Sequence, residues 1–314
     1  MNTPSNARSE IPNESKPAAP AATSPTRPFY WSVRRELWEN RSIYMAPLIA
    51  AGVVLFGFAI SAIGMPDRRR ATLLLDPVQQ RARIEIPYDV VAMMLMLTAF
   101  LVGVFYCLDA LHGERRDRSI LFWKSLPVSD LTTVLAKAII PLVVLPLLTF
   151  AIIEATHFTT MLISTAVLLP SGLGSTTWTI LPFFQMSVIL IYGLVTMALW
   201  QAPLFGWLLL VSGWARRATF LWAVLPWLAV CAVEKIAFNT SYFAFMLGHR
   251  VTGSFEEAFV VVKYPHGAVV SMVDRLTQLD PVKFLSSPGL WIGLAFAAAF
   301  LTAAVRLRRY RGSL

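Results

Sequence analysis

The sequence predicts an all-α integral membrane protein: six transmembrane helices preceded by an amphipathic elbow helix at the membrane interface. Two observations carry this. Of the 314 residues, 56% are hydrophobic and only 14% are charged, with a mean hydropathy of +0.61, whereas a soluble domain carries about 25% charged residues. The apolar residues also arrive in long blocks rather than at amphipathic spacing, and a hydrocarbon core about 30 Å thick needs roughly 20 apolar residues of helix.

Residues 1–28 are rich in Pro, Ala, Ser, Thr and Asn and hold no apolar stretch. Such a segment cannot bury enough surface to offset its ordering entropy, so a disordered tail is expected. It lacks the basic flank and short apolar core of a secretory signal peptide. Residues 29–43 form the expected elbow, beginning FYWSVRRELWENRS. At 100° per residue, Phe29, Tyr30, Val33 and Leu37 share an arc that Trp31 and Trp38 continue. Ser32, Arg35, Glu36 and Glu39 lie opposite, and Arg34 and Arg41 interrupt the apolar side. A helix with tryptophan on one face and charge on the other lies in the interface plane.

The six-span domain covers 44–311. The blocks run from about Tyr44 to Gly64, Tyr88 to Ala110, Leu131 to at least Ala155 with apolar sequence continuing to Pro170, Ile180 to Val211, Phe220 to Phe238, and Leu290 to Val305. The stretch 131–170 could hold two short spans. Charge decides for one: with six spans, 16 Lys and Arg fall on the side of the termini against 9 on the other, which places both termini in the cytoplasm. The RRR cluster at 68–70 runs against this bias. Pro141 and Pro146 in the third span and Pro203 in the fourth predict kinks, which serve packing or act as a hinge.

The net charge of +9 fits basic loops meeting anionic head groups. It does not point to nucleic acid, because no basic groove with interleaved aromatics occurs. Cys107 and Cys231 both lie inside apolar blocks, which argues against a disulfide or a thiolate metal site. No G-x-x-x-x-G-K-[ST] phosphate loop is present; the nearest glycine cluster, SGLGSTTW at 171–178, has no lysine. H-E-x-x-H and G-x-S-x-G are absent too. The chain is therefore not expected to be a catalyst.

Ionisable residues in or near the spans invite functional readings, because a mid-membrane charge costs roughly 2.5–3.5 kcal/mol on insertion scales. Asp89 and Asp109 sit at span ends, where water reaches them. Glu154 and His157 share a helix face, but two ligands without a third make a poor metal site. Glu234 and Lys235 point about 100° apart, and a place in a translocation path or an inter-helix contact is open to them. The loop 239–288 exceeds an ordinary connection and predicts short helices at the outer mouth.

The segment 111–130 carries a charged part, Glu114 to Arg118, then an apolar run, Ile120 to Trp123, then Lys124 and Leu126-Pro127. Ser129-Asp130 follows as an N-cap for the third span. A mere connection needs no apolar patch bounded by cations; docking on a protein or lying on the membrane would explain one. The stretch ERRDRSILFWKSLPVSD, the amphipathic helix before the first span and the ending SSPGLWIGLAFAAAFLTAAVRLRRYR resemble the permeases of the second class of ATP-binding-cassette (ABC) exporters, from about Phe29 to Arg311.

That resemblance implies an elbow at about Phe29 to Ser42 and a coupling segment at about Arg115 to Val128 that fits a groove on a separate ATPase. Arg115, Arg116, Arg118, Ile120, Leu121, Phe122, Trp123, Lys124 and Leu126 would form that contact. It further implies two ATPase subunits that hold ATP and magnesium, a second permease copy, no cofactor in this chain, and a plasma (inner) membrane location in a bacterium. Two rivals stand beside it. One is a membrane-embedded assembly or signalling subunit without a transported substrate. The other is an ion-coupled secondary transporter, which would favour internal repeats, and none is visible.

Overall fold

The computed structural model describes residues 26–116, 129–260 and 275–310. Among these, secondary structure is helical apart from one isolated bridge, Phe259 to Leu279. Six helices are long and apolar enough to cross a membrane: Ser42–Ala62, Pro77–Arg116, Asp130–Ser171, Phe183–Trp214, Thr219–Phe238 and Pro288–Tyr310. The expected tail lies outside the described residues up to position 25; its last three residues already belong to a helix.

The elbow, α1 (Thr26–Glu39), ends where Asn40 folds back, its N–H and its Nδ2 both donating to the Glu36 carbonyl at 3.0 and 3.1 Å. The first span, α2 (Ser42–Ala62), restarts two residues on. The elbow's orientation differs from the sequence reading. Tyr30, Trp31 and Trp38 are exposed, as an interfacial face requires, but Glu36 is buried, not turned to water. Periodicity separates two faces; it does not say that the polar one lacks a protein partner.

The connection 65–87 between the first two apolar blocks is largely helical: α3 (Met65–Leu73), then α4 (Pro77–Ala110), which begins well before Tyr88. Asp76 accepts from the Val78 N–H at 3.2 Å and Pro77 occupies the first helical position, two strong start signals. Arg81 and Glu85 then pair one turn apart at 2.7 Å. Hydropathy finds where lipid begins, not where the helix begins. A short helix, α5 (His112–Arg116), follows.

Ser129 caps the third span as predicted, accepting from the Thr132 N–H at 3.1 Å. That span is one helical rod rather than two: α6 (Asp130–Ile139), a π turn (Ile140–Val144) and α7 (Leu145–Leu168). Pro141 has no N–H to give the Lys137 carbonyl, and the chain absorbs the lost bond by widening one turn. Buried Thr149, Thr156, Thr160 and Ser164 each donate to the carbonyl four residues earlier, which lets hydroxyls sit in an apolar bundle.

After the short α8 (Thr176–Ile180), α9 (Phe183–Trp214) forms the bundle's centre with the last span, α14 (Pro288–Tyr310). Ala198, Ala202 and Gly206 recur every four residues on one, Gly289, Gly293 and Ala297 on the other. A Cβ on Gly206 would lie 3.3 Å from the Ala297 Cα. Small residues let the two backbones approach, the packing a lipid-embedded pair depends on. The fifth span, α10 (Thr219–Phe238), is peripheral, with Ala223 its one buried residue.

Short helices do occupy the 239–288 loop among the described residues: α11 (Tyr242–Thr252), α12 (Ser254–Ala258) and α13 (Pro281–Ser286). They reach deeper than an outer mouth. Trp200 Nε1 and Gln201 Nε2, from the middle of α9, donate to the carbonyls of His249 and Val251 at 3.0 and 3.1 Å. Arg250 lies over the Trp200 ring at 4.6 Å, donates to the Gly289 carbonyl at 3.0 Å, and fills the space a side chain at Gly293 would need. The segment therefore folds back into the bundle, anchored by groups that hydropathy treats as ordinary span residues.

Candidate functional site

The bundle end that carries α1 and the end of α14 holds a buried charge cluster. Glu36 on α1 is 1% exposed and Lys137 on α6 is 2% exposed. Lys137 Nζ donates to Glu36 Oε1 at 2.8 Å and lies 3.1 Å from Glu114 Oε1. Arg35 Nη2 reaches the same two carboxylates at 2.9 and 3.2 Å. The Tyr106 hydroxyl, from α4, donates to Glu36 Oε2 at 2.9 Å. Glu114 Oε2 accepts from Arg308 Nη1, near the end of α14, and Arg308 Nε donates to Asp130 Oδ1 at 3.0 Å.

Three carboxylates, Glu36, Glu114 and Asp130, thus meet three cations, Arg35, Lys137 and Arg308. Removing one partner of such a cluster leaves a buried unpaired charge and costs about 3–5 kcal/mol. The cluster therefore fixes the relative positions of the elbow, the end of the second span, the start of the third and the end of the sixth. Glu39 stands at its half-exposed margin, 3.5 Å from Arg35. Partial burial raises its carboxyl above the usual range, against the lowering pull of Arg35.

A second set of bonds locks the end of the second span to the end of the fourth. Ser212 Oγ, fully buried, accepts the N–H groups of Leu111 and His112, each at 2.9 Å. Arg115 Nη2 donates to the carbonyls of Ser212 and Ala215 at 2.6 and 2.8 Å. These carbonyls terminate α9 and have no helical partner, so a guanidinium is a favourable cap there. Both stems of the 111–130 loop are thereby built into the bundle.

Of the predicted coupling residues, Arg115 serves as this cap and Arg116 is exposed beside it. Arg118, Ile120, Leu121, Phe122, Trp123, Lys124 and Leu126 lie outside the described residues. Glu234 acts locally, accepting the Tyr242 and Phe243 N–H groups at 2.7 and 2.9 Å and the Thr240 hydroxyl at 2.8 Å. It is the cap of α11, supplied from the preceding helix, while Lys235 is exposed. Asp109 is exposed as expected, and Asp89 is half-buried.

Glu154 accepts from Ser187 Oγ at 2.8 Å and His157 Nε2 lies 3.0 Å from the Tyr88 carbonyl, so the two face different neighbours. Among the described residues no group of three or more His, Cys, Asp or Glu is placed to hold a metal ion. A small cavity beside the π turn is lined by Phe100, Pro141, Pro146, Thr149, Gln201 and Phe205, among others.

Sequence reasoning missed Glu36, Glu114, Lys137 and Arg308 as a unit. One signal was available: Lys137 is a cation seven residues inside an apolar span, and a buried cation demands a carboxylate. No protein-family model, no curated protein and no solved structure matches the chain.

Proposed function

We propose that this chain is the membrane-spanning permease subunit of an ABC exporter, working as a homodimer or heterodimer with two copies of a separate ATPase that bind ATP and magnesium. It would sit in the plasma (inner) membrane of a bacterium with both termini cytoplasmic. The single observation that carries this reading is the mounting of the 111–130 loop. Glu114 and Asp130, at its two ends, enter one buried charge cluster together with the elbow and the last span. A loop that only connected two helices would need no such anchorage. A loop that receives force does, because motion must reach the spans before it dissipates.

In this reading the ATPase pushes on the loop, and the cluster moves as one body because separating its charges would strand them in a low-dielectric interior. The π turn at Ile140–Val144 lies directly above Lys137, beside the small cavity. Bending of the third span would concentrate there. Contact with the ATPase falls to the apolar run Ile120 to Trp123, since buried aromatic anchors dominate interface energies while rim charges such as Arg118 and Lys124 affect orientation and rate.

The test uses a cysteine-depleted chain carrying Phe122→Cys, purified from native membranes with its partners. A cross-link to an ATPase subunit, identified by mass spectrometry, is the expected result. Cross-links to lipid alone, with transport retained, would overturn the proposal in favour of a loop that rests on the membrane.

A further inference from the structure

The opposite end of the bundle holds a buried cation that pairs with no carboxylate among the described residues. Arg69 on α3 is 7% exposed. Its Nη2 donates to Thr177 Oγ1 at 3.3 Å, but its Nη1 is buried without a hydrogen-bond partner. His157 Nδ1, on a residue 4% exposed, is likewise buried without a partner, and the Tyr88 hydroxyl, on a residue 2% exposed, has only Ser164 beside it. Ser164 Oγ gives its proton to the Thr160 carbonyl and keeps lone pairs that can accept from the Tyr88 hydroxyl. The Tyr88 and His157 rings meet edge to face at 5.4 Å. His157 Nε2 faces a carbonyl and must carry the proton, which leaves Nδ1 of the neutral ring as an acceptor.

Native interiors rarely leave two such atoms unpaired, and an unpaired buried cation is the costlier of them. Burial pushes the Arg69 guanidinium below its ordinary value, the direction expected of a charge missing its counter-ion. Water could satisfy the hydroxyl and the imidazole, but it brings no negative charge. Depth gives a second, independent indication. His157 lies about 30 Å along the third span from Lys137, at about 1.5 Å per residue, which equals the thickness of a hydrocarbon core. The charge cluster and His157 are thus a hydrocarbon-core thickness apart, and Arg69 follows the end of the first span, Ser42–Ala62, by seven residues.

We propose that Arg69, Tyr88 and Thr177 form a binding site for a phosphate group at the membrane interface remote from the termini. The phosphate accepts from Arg69 Nη1 and the Tyr88 hydroxyl, and His157 Nδ1 accepts from a hydroxyl carried beside it. Arg69 is carried by α3, and the site lies where α3 packs against α4 and α7. This inference is independent of the ATPase reading.

The full chain, purified in detergent and stripped of lipid, would be titrated with micelles containing phosphatidylglycerol, with micelles containing diacylglycerol, and with inorganic phosphate. The readouts are the thermal midpoint and the lipid retained in native mass spectrometry. Phosphatidylglycerol should stabilise the wild type, with about one molecule retained per chain, while diacylglycerol should not. Arg69→Gln should bind at least about tenfold more weakly, the loss expected for a charge-assisted hydrogen bond.

An equal, Arg69-dependent shift with inorganic phosphate would identify the ligand as a free phosphate group and leave the site in place. If Arg69→Gln fails to fold, Tyr88→Phe keeps the ring and should also bind about tenfold more weakly, as the loss of a bond to a charged group implies. Two results would overturn the proposal: lipid retention unchanged in both variants, or Arg69→Gln more stable than wild type with no probe shifting either protein.

Discussion

Lys137→Met removes one cation from the buried cluster and keeps the side chain's length. Lys137 Nζ lies 2.8 and 3.1 Å from oxygens of Glu36 and Glu114. At an effective dielectric near 20, opposite charges about 4 Å apart attract by about 4 kcal/mol, and the desolvation of Lys137 itself offsets part of the two contacts. The net loss expected is about 3–5 kcal/mol, because two carboxylates are left with Arg35 and Arg308 alone. At roughly 2–4 °C per kcal/mol for large domains, the thermal midpoint of the detergent-solubilised chain should fall by roughly 6 °C or more. Glu36→Gln/Lys137→Met restores the charge balance and keeps an acceptor for Tyr106, so it should recover at least half of the loss. A midpoint for Lys137→Met within about 1 °C of wild type would refute the reasoning. So would a double variant whose loss is the sum of the two single losses, since a coupled cluster must be non-additive.

Glu234→Ala should free the start of α11, which loses its acceptor for two N–H groups. At about 1 kcal/mol for a lost cap, hydrogen exchange across 242–252 should rise about fivefold while the spans stay protected. Glu39 tests the margin of the charge cluster. Its folded-state carboxyl is raised by partial burial above the ordinary 4.5, so it binds its proton more tightly folded than unfolded. That contribution is fully present below pH 4.5 and is lost as pH rises through the folded value. Glu39→Gln should therefore raise stability slightly at pH 7, by under about 0.5 kcal/mol because the side chain is half-exposed, and give no gain at pH 4. Stability readings at the two pH values check the sign.

Much of the architecture was legible along the chain. Lipid tolerates no unpaired backbone, so an apolar block of about 20 residues suits a membrane only as a helix, and among the described residues six helices are long and apolar enough to cross one. The Ser129 cap and the tryptophan face of the elbow follow from local chemistry that neighbouring residues settle among themselves. Charge asymmetry favours the single third span, whereas hydropathy alone allows two.

Tertiary structure decided where charge goes. Glu36 and Lys137 are 101 residues apart and Glu114 and Arg308 are 194 apart. Along the chain, each is one more charge in a solvated flank or an isolated cation in a span. The fold-back of 242–258 depends on Trp200 and Gln201 offering donors from the centre of α9, and Arg69 is one of three consecutive arginines on α3. Hydropathy sums residues that are neighbours in sequence, so it finds the segments that lipid can accept. The energy of a buried charge depends on which distant segment supplies its counter-charge, and only the packed helices determine that.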